Sequence, residues 1–152
     1  MLRKLGITGF GVALAAAAQV RQAAGQIDAE SYRIEVKVNP RTQSLSAAAE
    51  VRFTPLADTS TLSFELNNAL NLTSVSDAAG RQIPASRLQQ DFTVRLALPA
   101  ALPKGQAQTL TFRYDGTLNG TEESPVFGIK FAAIQADYAY LLYPARWFPV
   151  SG

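Results

Sequence analysis

From Tyr32 onward the chain alternates apolar and polar residues, and that period of two constrains its fold more than any other feature. In YRIEVKV, Tyr32, Ile34, Val36 and Val38 face one way while Arg33, Glu35 and Lys37 face the other. A strand whose successive side chains point to opposite faces, half buried and half solvated, produces this pattern. NPRTQ (39–43) supplies a turn, and SLSAAAEVRF alternates again through Leu45, Ala47, Ala49, Val51 and Phe53. The two runs predict an antiparallel hairpin.

Further alternating runs follow at short intervals. They are TLSFEL around Phe64, LNLTSV, DFTVRLAL and TLTFRYDG, then the less regular VFGIKFAAI and YAYLLY. SDAAGRQ (76–82) and PAALPKGQ (99–106) read as breaks between them. Eight or nine short strands with Gly, Pro and Asp punctuation, and no helical periodicity beyond the leader, predict an all-β protein. The expected architecture is an antiparallel β-sandwich forming a single domain over residues 26–152.

The first 25 residues read differently. Arg3 and Lys4 precede an apolar run of about 14 residues from Leu5 to Ala18, followed by small residues at Ala16–Ala18 and Ala23–Gly25. A basic start, a short apolar middle and a small-residue cleavage site make a secretory signal peptide. The run is short of the roughly 20 residues that span a bilayer. The expectation is export to a periplasmic or extracellular compartment, with residues 1–25 removed and no membrane span left. Without Arg3, Lys4 and Arg21, the charge balance of 14 basic and 12 acidic residues becomes 11 against 12, a net −1 in place of +2. No basic cluster remains, which argues against a nucleic-acid partner.

The chain has no cysteine and no histidine. Its fold must rest on core burial without disulfides, which about 127 residues can achieve. The missing imidazole removes the usual general base and the commonest zinc ligand. Only oxygen ligands remain. Asp115–Glu123 mixes Asp, Asn and Glu but does not fit the twelve-residue calcium loop, so it reads as a solvated connection. No carboxylate pair stands out for glycoside hydrolysis. The acceptor patterns at Asn71 and Asn119 are short enough to arise by chance.

The most distinctive stretch is YLLYPARWFPVSG, with four aromatics, two prolines and Arg146 in thirteen residues. Tyr and Trp are enriched where protein surfaces meet. Tyr138 and Tyr140 share a strand face and are expected to point into the core. Arg146, Trp147, Phe148 and Pro149, beyond the last strand, are the candidate docking residues.

YRIEVKVNP, LSAAAEVRF, QTLTFRYDGTL and ARWFPV occur in the order found in the N-terminal domain of the gluzincin-type zinc aminopeptidases, the relatives of alanyl aminopeptidase and leukotriene hydrolase. The chain resembles that domain over about residues 30–150. Phe112–Leu118 fits the family's aromatic-x-Tyr-x-Gly-x-Leu segment, and Ala145–Val150 is similar to its closing Arg-x-x-Phe-Pro motif. The resemblance implies a saddle-shaped sandwich that scaffolds a metallopeptidase catalytic domain, in cis or as a separate chain. Zinc is then expected only in that absent domain, with no catalytic, substrate-binding or metal residue in this chain, which alone would be inactive. Two departures matter. VSG replaces the usual cysteine and acidic residue after the proline, and Leu141 stands where many members place a Gln or Glu that holds the substrate's amino group. The alternative expectation is a free-standing secreted sandwich that binds protein or glycan.

Overall fold

The computed structural model describes residues 26–88, 91–118, 126 and 128–151. The expected signal peptide (1–25), the acceptor Asn119 and the second half of the Asp115–Glu123 loop lie outside the described residues. Strands β1 (Ile27–Asn39) and β2 (Ser44–Pro55) form the predicted hairpin, closing at Asn39↔Ser44. Its turn is tightened by the Asn39 side chain, which accepts the Arg41 backbone N–H at 3.1 Å. β3 (Thr59–Glu65), β4 (Leu70–Asp77), β5 (Ala85–Leu88), β6 (Thr93–Leu102) and β7 (Gln108–Thr117) follow. β8 (Ala132–Ile134), β9 (Ala139–Leu141) and the two-residue β10 (Val150–Ser151) complete the chain.

These strands build an antiparallel β-sandwich. One sheet has the order β1-β2-β7-β4, the other β10-β3-β6-β5, and β8-β9 form a small hairpin. The core lies between the two large sheets and is set by the period-two pattern. β2 contributes Leu45, Ala49, Val51 and Phe53, β7 contributes Leu110, Phe112 and Tyr114, and β3 and β6 answer with Leu62, Phe64, Val94 and Leu96. Phe64 of the second sheet meets Phe112 edge-on at 4.8 Å and Phe53 at 6.3 Å, so one ring ties the sheets together. Pairs of this geometry add about 0.5–1.5 kcal/mol beyond their area burial.

β1 keeps the predicted alternation only in direction. Register places Val36 and Val38 opposite Ala47 and Leu45, yet they remain 38% and 37% exposed. β1 is the edge of its sheet, so these side chains keep one flank in solvent.

The expected break at Pro99–Gln106 falls later than the sequence implied, because β6 runs on to Leu102. Pro99 is tolerated because β6 has no ladder partner between Leu98 and Ala101 on either side, so its missing N–H leaves no gap. The chain turns at Gly105, whose N–H donates to the Pro55 carbonyl at 2.9 Å. On the opposite flank, Ile83 N–H donates to Val75 O at 2.8 Å and Ala97 N–H to Pro84 O at 3.0 Å, so the segment before β5 laces the sheets together. Where β7 passes the β3–β4 loop, Gly116 has φ +149°, and a Cβ there would lie 2.4 Å from the Ala69 carbonyl oxygen. Only glycine allows that approach.

Candidate functional site

The C-terminal stretch leaves β9 and enters a single 3-10 turn at Tyr143–Ala145, with Pro144 pre-set for its first positions. The turn ends at Arg146, which adopts the left-handed conformation at φ 49°, ψ 42° and donates its N–H to Tyr143 O. That kink redirects the chain so that Val150 and Ser151 pair with Glu65 and Phe64 as the edge of the second sheet.

An irregular segment must satisfy its backbone groups without a ladder, and here the β3–β4 loop does so. Asn67, 3% exposed, donates from Nδ2 to Ala145 O at 2.9 Å. Its backbone N–H donates to Arg146 O at 2.9 Å. Its Oδ1 accepts the Ala69 N–H at 2.9 Å. Arg87 then holds the same loop from β5: Nη1 donates to Leu66 O at 2.7 Å, and Nη2 to Asn67 O at 3.1 Å and to Leu70 O.

All four candidate docking residues belong to this segment. The Arg146 Nε donates to Glu65 Oε2 at 2.5 Å, and its guanidinium lies 4.7 Å from the centre of the Phe92 ring. Arg146 is thus pinned within the domain by a carboxylate and an aromatic face, as a planar cation can be. Trp147 and Phe148 are half-buried against the core. Phe148 meets Tyr32 at 5.4 Å, Trp147 at 5.0 Å and Tyr143 at 5.9 Å, and so closes the gap beside β1. Pro149 is buried. Exposed apolar surface lies just before them, at Leu142 (50%) and Tyr143 (63%).

Tyr138 and Tyr140 do not point inward as expected. Tyr138 is 55% exposed, and the two rings stand parallel at 6.3 Å, 2° apart. Tyr140 is half-buried outside the core cluster, and its hairpin is only three residues a side, so alternation alone could not say which face the core would take. Sequence reasoning missed Glu65, Asn67 and Phe92. The Asn67-Asn68 doublet between two apolar runs was the available signal for Asn67; Phe92, a bulky residue at φ 57°, had none.

The donor set does not fit a zinc centre. The chain has no histidine or cysteine, and among the described residues no three acidic groups converge. Among the same residues no helix is long and apolar enough to cross a membrane.

No protein-family model matches the sequence, and no curated protein does. The fold, however, is shared with M1 zinc metallopeptidases. A mutant M1 zinc metallopeptidase from Deinococcus radiodurans, bound to a Tyr-Ser-Ala substrate, superposes with a TM-score of 0.68 at 19% identity, covering 84% of this chain and 29% of that one. A second structure of that mutant gives 0.67 at 18% identity, with the same coverage. The chain therefore spans less than a third of the length of those proteins, and the likeness is one of fold.

Proposed function

We propose that this chain is the non-catalytic β-sandwich domain of an exported zinc metallopeptidase-like protein, and that it packs beside a catalytic domain and walls one side of its cleft. The observation that carries the reading is the fold match to under a third of a metallopeptidase, in a chain without a histidine or cysteine to hold zinc. The exposed Leu142 and Tyr143, beside a segment bolted to the sandwich, support docking at that face, since rigid aromatic anchors suit interfaces. In this role the domain binds no metal and performs no chemical step; its work is to exclude water and long substrates.

Three experiments test it. Purified protein should show no aminopeptidase activity and no stoichiometric zinc; activity that tracks with this chain through chromatography would sink the reading. Sequencing the DNA after codon 152 should reveal a zinc-helix domain, in frame or as a neighbouring gene. N-terminal sequencing of exported protein should find a start after Ala18 or Gly25.

The exposed Tyr138, stacked parallel on the half-buried Tyr140, favours one second reading, a glycan- or protein-binding module. It predicts glycan binding by the isolated chain that Tyr138→Ala abolishes.

A further inference from the structure

Between the 3-10 turn and β10 lies a crevice of about 270 Å³ lined by Glu65, Tyr143, Pro144, Arg146 and Val150. Its walls are apolar and its polar end is the Arg146–Glu65 pair. That pair is lopsided. A guanidinium carries five N–H donors, and Arg146 uses Nε alone, on Glu65 Oε2. Phe92 takes up the guanidinium's flat face but accepts none of its N–H groups along the edge. Nη1 and Nη2 therefore keep four donors without a bonded acceptor among the described residues, on a side chain that is 26% exposed. Glu65 keeps one carboxylate oxygen. The surplus is of donors, so the complementary group is an acceptor, and the planar Nη edge matches a carboxylate in two-point geometry.

The backbone adds an independent sign. Arg146 and Phe92, which stack on one another, are two of the three non-glycine residues with positive φ among the described residues, at 49° and 57°. Strain of this kind persists only where the surroundings over-determine it, and it collects at functional sites. Here Asn67 over-determines it, by gripping the carbonyls of both Ala145 and Arg146.

We infer that this crevice receives the carboxylate side chain of a glutamate or aspartate on the docking partner. The carboxylate bridges Arg146 Nη1 and Nη2, and its short aliphatic stem lies against Pro144, Val150 and the Tyr143 ring. Glu65 holds the guanidinium from the Nε side and so aims the free edge outward. The inference rests on the proposed docking role only for who supplies the acid; the receptor itself is testable without a partner.

The test is an NMR titration of the isotope-labelled protein with N-acetylglutamate N-methylamide, following the Arg146 Nε–H and the Val150 methyls. Saturable shifts are expected, at least about tenfold weaker with the glutamine analogue and absent in Arg146→Gln. Because Arg146→Gln removes a fold contact, Glu65→Gln is the second variant. It should keep the site and bind the glutamate probe a few-fold tighter, since a like charge has gone. No shift at Arg146, equal response to the glutamine or lysine analogue, weaker binding by Glu65→Gln, or acetate binding as tightly as the glutamate probe would each overturn the inference. Loss of the docking role with this binding intact would leave the receptor standing and remove only its assigned donor.

Discussion

The β1–β2 hairpin and the C-terminal segment from Tyr143 to Ser151 rest on the same core but are held there by different physics. The hairpin is a continuous ladder whose side chains alternate into the sandwich, so its stability is spread over many equivalent contacts. The C-terminal segment has a ladder of only two residues and hangs on a few polar pegs: Asn67, Arg87 through the loop, and the Arg146–Glu65 pair. Distributed apolar burial tolerates small local losses; discrete hydrogen bonds to otherwise unpartnered carbonyls do not. The region proposed to dock is thus the one whose shape depends on single residues.

The contrast breaks most severely if the shared core is emptied. Phe112→Ala removes the ring that meets Phe64 at 4.8 Å and should cost about 3–5 kcal/mol. Hairpin and C-terminal segment should then lose protection together in denaturant unfolding followed by amide exchange. Should the C-terminal segment survive that loss, the two regions do not share a core.

Asn67→Ala sharpens the contrast at intermediate cost. It deletes the bond to Ala145 O and the acceptor of Ala69 N–H, leaving a buried carbonyl unpaired at about 1–3 kcal/mol. Amide exchange should accelerate over residues 143–151 before the β1–β2 ladder changes. Equal acceleration in both regions would show that the pegs are not local.

The hairpin was legible because one physical rule, side-chain alternation, acts between neighbours in sequence, and NPRTQ marks its turn. β2, β3, β6 and β7 were legible for the same reason, through Phe53, Phe64, Val94 and Phe112. β5 was not: Ala85, Ser86 and Leu88 are exposed, and the strand exists only because β6 offers an edge. The C-terminal segment was legible in composition alone. Its aromatics and prolines marked it out, but the pegs that shape it join residues 78 and 81 positions apart, and no local pattern encodes such pairings.

A smaller effect tests the sheet side. The C-terminal segment pairs the buried Asn67 through both ends of its amide, whereas the Tyr114 hydroxyl in β7 is buried without a hydrogen-bond partner among the described residues. Burial also pushes its pKa far above the usual phenol range. Tyr114→Phe removes an unsatisfied group while keeping the ring, and should stabilise the protein by about 1 kcal/mol in denaturant melts. A loss of stability would mean that the hydroxyl has a partner. A phenol whose pKa is raised on folding also costs stability at alkaline pH, once the unfolded tyrosine begins to ionise, and the variant should lose that dependence.

The least costly test is pH, and it bears most on two carboxylates of the first sheet. Register shifts between Ala29 and Ser31, so Glu30 is the extra residue of a bulge in β1. It reaches across to β2, accepting from the Thr54 hydroxyl at 2.5 Å and from Arg52 Nε at 2.8 Å. Those bonds favour the charged carboxylate, Thr54 first and then Arg52, and hold its pKa below the ordinary value. Asp77 at the end of β4 is lowered likewise, chiefly by the Arg81 backbone N–H. A carboxylate depressed on folding contributes stability above its unfolded pKa and loses it as pH falls through the folded one, because the unfolded chain binds the proton more readily. Glu30 lies at the surface, and Asp77, whose side chain is 18% exposed, pairs with a largely exposed Arg81, so the effect is small and salt-sensitive. Melting temperature should fall as the solution is acidified through the carboxylate range, and Glu30→Gln should flatten part of that slope. Amide exchange in acid should loosen the strand around the bulge more than residues 143–151, where Asn67's neutral amide backs up the charged Arg146–Glu65 pair. An acid-labile C-terminal segment beside an unchanged bulge would make the Arg146–Glu65 pair, and not Asn67, the main peg of that segment.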